Sequence, residues 1–336
     1  VQNLTVVSSR VRLARNIEGL PFDLSSRPED AQAMVTRVVS AMCTMPLYDS
    51  FRLYMMHDLQ ENQRDILRES HMISTDFQKN AGSGAVLVDE KDRLSVMIHE
   101  EDHVRILSVT EGDDLKRAMD QAFQVDDTLS RQIRFAFAPD LGYLTARPVN
   151  TGTGLRASMR LHLPMAVHFK QIGSVYQIAA RYGLNCRFAC GEGSEGPGCL
   201  YEISNQKCLG VTEQETISSI LNVAGQLEDM ESLLRSRLMA DERLWTEDQV
   251  YRAYSVLRSS RLLEEKEFLT FWSSLRLGMR LGMIRPDYLL MERLLEETGD
   301  GHLTAYGEKP RGESNLSALR AQYVREQVRN LDAPLL

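Results

Sequence analysis

The residues of this 336-residue chain best suited to chemistry are arginines and carboxylates in four segments. Ser8-Ser9-Arg10-Val11-Arg12 reads as a strand. Residues i and i+2 share one face there, so the two guanidinium groups can reach one anion. A solvated strand face would carry the same pattern. Glu100-Glu101-Asp102 sets three acids at the end of a strand-like run, where a carboxylate can be aimed into a cleft. Asn150-Thr151-Gly152-Thr153-Gly154 places small residues ahead of a helix expected from Leu155. Free backbone N–H groups and a helix N-terminus would suit phosphate, although a plain loop-to-helix turn looks alike. Gly191-Glu192-Gly193-Ser194-Glu195-Gly196 is a flexible acidic loop able to close over a substrate.

Other chemistries fit less well. His99 and His103 flank acids in a metalloprotease-like spacing, but that site needs a helix, and the preceding Leu94–Ile98 run is strand-like. On a straight strand the two rings would lie about 13 Å apart. No Gly-rich loop ending in Gly-Lys-Ser/Thr and no protein-kinase signature set is present. Cys186, Cys190, Cys199 and Cys208 cluster, yet they lack the short-spaced pairs of zinc knuckles. With Cys43 they make an odd count, which suggests reduced thiols. No metal site is expected.

These residues need a scaffold. Val6–Ala14, Gly84–Glu90, Arg93–His99 and Val104–Val109 read as strands, and Ile133–Ala138 with Gly142–Ala146 as a hairpin. Asn185–Cys190 and Leu200–Ser204 bracket the glycine-rich loop. Helices are expected over Glu29–Met45, Gly112–Gln132, Leu155–Phe169 and Ser174–Tyr182. From Thr212 onward nearly everything reads helical, with breaks near Trp245, Pro286 and Gly299–Gly312. The pattern changes from mixed α/β to all-α, giving expected domains 1–235 and 236–336.

Composition bounds the class. Apolar residues make up 43% and charged residues 26%, which fits a globular chain. No apolar run suits a membrane span and no signal-peptide profile opens the sequence, so a soluble, cytoplasmic protein is expected. A net charge of −8 argues against a general binder of nucleic acid or anionic membrane. The basic residues are nevertheless lopsided, 32 Arg to 7 Lys. Arg is the side chain suited to bidentate phosphate recognition, so a local anion site can hide in an acidic total.

Taken together, the segments resemble the phosphagen (guanidino) kinases, and within them the bacterial protein-arginine kinases. The resemblance runs through Ser8–Asn16, Glu69–Ser74, Glu100–Arg105, Asn150–Ser158 and Gly191–Glu195, covering about residues 4–235. It implies an α+β fold: a phosphagen-kinase-type catalytic domain, with an antiparallel sheet flanked by helices, followed by an all-α C-terminal domain for regulation and dimerisation. It implies ATP-dependent phosphorylation of arginine side chains in proteins, with Mg²⁺ carried mainly by nucleotide oxygens and water. By position, ATP contacts fall on Ser8, Ser9, Arg10, Val11, Arg12, His71, Arg105, Arg156, Ala157, Ser158, Met159, Arg160, Arg187, Phe188, Ala189, Cys190, Gly191 and Glu192. Glu101 and Glu192 would orient the acceptor guanidinium and take its proton. Loose phosphoryl-transfer transition states reward such positioning and charge stabilisation. The implied partners are arginine-bearing protein substrates, Clp protease components, a heat-shock repressor, a zinc-binding activator and a second copy of the chain, in protein quality control and stress response.

Two positions depart from that pattern. Arg147 stands where the family usually has Cys, near the acceptor. A second cation about 4 Å from a guanidinium costs roughly 4 kcal/mol at an effective dielectric near 20, so Arg147 must swing away or the acceptor is weakened. The phosphoarginine-sensing motif, Arg-Asp-x-x-Arg-Ala, is reduced to Leu316-Ser317-Ala318-Leu319-Arg320-Ala321, so weak or lost activation by phosphoarginine is expected. Two alternatives stay open: a kinase for free arginine, and a weakened nucleotide- or phosphoarginine-binding scaffold.

Overall fold

The computed structural model describes residues 3–22, 28–46, 48–79, 82–189, 196–307 and 315–331. Its strands are β1 (Val6–Arg15), β2 (Arg52–Met55), β3 (Ala85–Asp89), β4 (Leu94–Ile98), β5 (Val104–Glu111), β6 (Phe137–Ala138), β7 (Gly142–Tyr143), β8 (Leu155–His162), β9 (Leu184–Phe188) and β10 (Leu200–Asn205). Eight of them form one sheet in the order β2-β3-β4-β5-β1-β8-β10-β9, and every neighbouring pair is antiparallel. β6 and β7 make a separate small hairpin.

Leu155–His162 is a strand, which corrects the helix expected there. Leu155, Ala157, Met159 and Leu161 are buried while Arg156 and Arg160 keep partial exposure, a period of two. The phosphate-binding helix N-terminus expected after Gly154 therefore does not exist. Instead Gly152 and Gly154 adopt positive φ and bring the loop against backbone: a Cβ on Gly152 would lie 2.1 Å from the Cys208 carbonyl.

Helices α1 (Pro28–Met42), α2 (Glu61–Glu69), α3 (Thr75–Lys79), α4 (Leu115–Ser130), α5 (Pro164–His168) and α6 (Ile172–Arg181) flank the sheet. Then come α7 (Glu213–Asp241), α8 (Arg243–Ser259), α9 (Glu265–Arg280), α10 (Tyr288–Glu297), α11 (Asp300–Tyr306) and α12 (Asn315–Gln327). The break expected near Trp245 falls at Glu242, between α7 and α8, and Trp245 lies in the first turn of α8. α7 starts with a Thr212/Glu215 capping box and runs unbroken through residue 235, across the expected domain boundary.

The two sheet faces differ. One is mostly apolar, Val11, Leu13, Val96, Ile106, Ala157, Met159 and Ile203 packing with α1, α4 and the first half of α7, with Arg15 and Ser108 bonded to Asp126 and Gln121 of α4. The other changes character across its width. On β3, β4 and β5 it presents Val86, Val88, Met97, Leu107 and Val109 to Met56, Met72, Ile73 and Phe77. From β1 to β9 it is cationic. Val7 and Leu200 at the strand ends join the core of the helical region, built around Phe268, Trp272 and Leu294. Buried Arg276 of α9 stitches that region to the sheet, donating to the Leu4 carbonyl at 2.9 Å and to His162 Nδ1 at 3.2 Å.

Candidate active site

Register alone aligns the arginines. Arg12 stands opposite Arg156, and Arg10 opposite Ser158. Ser8, Arg160, Glu202 and Arg187 form one row across β1, β8, β10 and β9. Ser8, Arg10, His71, Val109, Ser158, Arg160 and Glu202 line a single cleft. Val11, Ala157 and Met159 point into the opposite core, and Ser9 donates backwards to the Gly112 carbonyl at 2.7 Å. These four set the strand register that presents their neighbours.

The cluster is electrostatically unsatisfied. Burial, followed by the Arg105, Arg10 and Arg156 charges, lowers the pKa of Arg12 to about 9, and the Glu100 charge only partly opposes this. Arg10 is lowered by burial and by Arg160, Arg105 and Arg187, against the opposing charge of Glu202. The Nε atoms of Arg10 and Arg105 are buried without a hydrogen-bond partner. Unspent donors and mutually repelling forks on one face define an anion site. Glu202 is its internal counter-charge, accepting from Arg187 Nε at 3.1 Å and Nη2 at 2.8 Å.

His71 reaches the cleft by an unusual turn. It sits at positive φ just past the end of α2, where Met72 N–H closes on Leu67 O and His71 N–H on Arg68 O. Glycine is usual at that position, and histidine is among the side chains that enter the left-handed region most readily. Arg160 Nη2 donates to His71 Nε2 at 3.0 Å. The ring is therefore neutral with its proton on Nδ1, in keeping with a pKa held well below the usual value by burial and by Arg160 and Arg10. α2 is itself tied to the helical region. Glu69 accepts from Gly301 N–H at 3.0 Å and His302 N–H at 3.1 Å, capping α11, and contacts His302 Nδ1 at 2.7 Å.

Glu101 sits in the tight β4–β5 turn, closed by His99 N–H to His103 O at 2.9 Å. Arg105 of β5 donates to Glu100 through Nη1 and to Glu101 Oε2 through Nη2, the latter at 2.7 Å. Glu100 is fixed further by Ser74 Oγ at 2.6 Å. The buried Asp102 accepts from Asn16 Nδ2 at 2.9 Å and from Ala146 N–H at 2.7 Å, pinning the next loop against Glu101. That loop carries Arg147, whose Nε forms an ion pair with Glu101 Oε1. Arg147 is thus paired here and does not stand as a bare repelling cation. His103 is structural: its Nδ1 accepts from Ile17 N–H at 2.9 Å, leaving Nε2 to donate to Pro21 O at 2.9 Å.

Of the remaining expected site residues, Phe188 packs tilted against the Tyr201 ring, and Ala189 packs against the helical core. Cys190, Gly191 and Glu192 lie outside the described residues. Leu316, Ser317, Arg320 and Ala321 fall on α12. Arg320 is buried, donating to Thr298 O, Leu263 O and Asp300 Oδ1, each at 3.2 Å. Sequence reasoning passed over Glu202, Glu100, Asp102 and Asn16. The last three lie inside segments already singled out, and Glu202 alternates with buried Tyr201 and Ile203.

Fold and site together define a guanidino phosphotransferase. Residues 33–234 match the family described as ATP:guanido phosphotransferase, C-terminal catalytic domain, and the chain belongs to that family. Residues 243–335 match the protein-arginine kinase McsB C-terminal domain. Among curated relatives, a protein-arginine kinase of Clostridium kluyveri is 36% identical over 326 residues, 96% of this chain and 94% of its own. Another from Desulforamulus reducens is 39% identical over 299 residues, 88% and 84% respectively. Solved structures share the fold. A duplicated taurocyamine kinase from Schistosoma mansoni matches with TM-score 0.63 and 24% identity, covering 77% of this chain and 40% of that one. Lombricine kinase matches with TM-score 0.59 and 24% identity, covering 70% and 68%.

Proposed function

We propose that this protein transfers the γ-phosphoryl group of ATP to a guanidino nitrogen of arginine residues in proteins. The observation that carries this reading is the row of arginine forks from β1, β8 and β9 ending beside a carboxylate fixed by Arg105. Arg10, Arg12, Arg105, Arg156 and Arg187 would hold the phosphates, with Arg160 beside them and Mg²⁺ riding on nucleotide oxygens. Glu101 would align the acceptor and take its proton as the N–P bond forms and the bond from the γ-phosphorus to the β-phosphate oxygen breaks, releasing ADP. Glu192 would be the second carboxylate.

The matched C-terminal domain and the protein-arginine kinase relatives support a protein acceptor over free arginine. Partnership with Clp protease components, a heat-shock repressor and a zinc-binding activator, a cytoplasmic setting and a stress-response role belong to the same reading. So does a homodimer, supported by the exposed apolar side chains Leu233, Leu244 and Trp245 on α7 and α8. Incubation with Mg-ATP and casein, then mass spectrometry that preserves acid-labile P–N bonds, tests the activity. Phosphoarginine on casein is expected, far above that on free arginine. Glu101→Gln should lower kcat by about 10²–10⁴-fold. ATP binding without any phosphoarginine would refute the kinase reading.

A further inference from the structure

Both oxygens of Glu101 are already taken by guanidinium groups, Oε2 by Arg105 and Oε1 by Arg147. Glu100, Glu101, Arg105 and Arg147 together carry no net charge. A third guanidinium arriving as substrate would have to share the oxygens of Glu101 with two resident guanidinium groups and would give these four residues an excess positive charge. Release of one resident relieves both. Arg105 is 5% exposed and held by two carboxylates, whereas the Arg147 side chain is 62% exposed. Arg147 is the group that can leave.

The contact is also built rather than casual. Asp102, the residue after Glu101, grips Ala146 N–H, the residue before Arg147. Thr145 Oγ1 donates to the Arg147 carbonyl at 2.7 Å, and Asn150 N–H to the same oxygen at 3.0 Å. The backbone under Arg147 is thus fixed at the carboxylate that the reaction needs, while its side chain remains free to move into solvent.

We propose that Arg147 is an internal acceptor mimic. Its guanidinium occupies Glu101 in the resting enzyme, and an arginine substrate must displace it before phosphoryl transfer. This rests on the reading of Glu101 as the acceptor-orienting base. Arg147 is accordingly a specificity-determining residue: it sets a threshold that weakly held guanidinium compounds do not cross, by competition rather than by shape. Because the pair is largely exposed on one side, the threshold is modest, about two- to fivefold in acceptor affinity.

Steady-state kinetics with a Gly-Arg-Gly peptide as acceptor test this, on the full chain, for wild type, Arg147→Ala, Arg147→Lys and Glu101→Gln. Arg147→Ala should lower the peptide KM about two- to fivefold while the KM for Mg-ATP stays put, and Arg147→Lys should fall between. A peptide KM unchanged or raised in Arg147→Ala, with Glu101→Gln inactive, overturns the mimic and leaves the base assignment standing. Full activity in Glu101→Gln overturns both. Stoichiometric phosphate on Arg147 itself, found by mass spectrometry during turnover, also overturns the mimic, because a competitor is displaced and not consumed.

Discussion

Arg12 is where the tension between stability and function can be measured. It lies on β1 opposite Arg156, with Arg10 and Arg105 close by, and its pKa falls from 12.5 to about 9. The side chain stays charged at neutral pH, so that depression measures how unfavourable the folded surroundings are for the charge. Converted directly, it corresponds to roughly 4–5 kcal/mol, which is an upper bound. Because Arg12 keeps part of its surface in solvent, a realised gain of about 1–2 kcal/mol is expected when Arg12→Gln removes the charge. Its sign follows from the lowered pKa of a base: the cost is present at neutral pH and vanishes only above the unfolded value.

The same substitution removes a charge-assisted bond to phosphate, worth about 2 kcal/mol or roughly 30-fold in affinity. At an ATP concentration 100 times the wild-type dissociation constant, ligand stabilises the wild type by about 2.7 kcal/mol but the variant by only about 0.9. Urea unfolding of both proteins, with and without ATP at that concentration, reads both quantities. A variant that without ATP is less stable than wild type by more than about 1 kcal/mol would refute the repulsion at Arg12. Equal stabilisation of the two proteins by ATP would refute the phosphate contact.

Two further predictions concern the frame around the site. Arg15 is fully buried, bidentate to Asp126 at 2.8 and 3.0 Å, bonded to Ala14 O and Thr153 O, and stacked 3.6 Å above Tyr143. Asp126→Ala would strand that guanidinium and should cost about 3–5 kcal/mol in urea unfolding, whereas Arg15→Met with Asp126→Leu should cost much less; equal losses would contradict the buried-pair argument. Glu231 on α7 accepts from Met165 and Ala166 N–H, the first turn of α5, and burial raises its pKa to about 7 against those donors and Arg235. A raised carboxyl pKa gives stability that is complete below about pH 4.5 and lost as pH rises through about 7, by roughly 3 kcal/mol at most. Glu231→Gln should flatten the pH dependence of unfolding between pH 5 and 8, and matching slopes in both proteins would refute the assignment.

Much of the sheet was legible because strand residues alternate. Val6–Ala14 and Val104–Val109 fall within β1 and β5, and the i, i+2 arginines do share a face. β8 was misread although Leu155-Arg156-Ala157-Ser158-Met159-Arg160-Leu161 alternates strictly. Leu, Ala, Met and Arg are good helix formers, and that preference outweighed the period that packing obeys. β2 escaped because a four-residue edge strand with exposed Arg52 and Leu53 buries too little to leave a pattern. The pairing of Arg147 had no local signal at all. It depends on Asp102 holding Ala146, a contact 44 positions apart, and on a turn that leaves Glu101 facing the loop.

The charge distribution separates the two halves of the site. Among the described residues of this sheet face, Arg10, Arg12, Arg156, Arg160 and Arg187 meet one interposed carboxylate, Glu202, with Glu111 opposite Ser8 at the rim, so positive charge is in excess. A polyanion fits that excess and a lone carboxylate ligand does not. Beside it, Glu100, Glu101, Arg105 and Arg147 balance. Arg105 joins the halves, bonded to both acids and counted among the charges that depress Arg10 and Arg12. Screening acts on net fields: the Debye length shrinks from about 10 Å at 0.1 M salt to about 5 Å near 0.4 M. Attraction of a triphosphate to the excess should weaken, while exchange of one guanidinium for another at Glu101 conserves charge and should barely respond. KM for ATP should therefore rise several-fold between 0.05 and 0.4 M potassium chloride, and KM for an arginine-bearing acceptor should change by less than about twofold. Parallel rises in both constants would mean that the acceptor also enters by charge attraction, and that Glu101 stands free when it arrives.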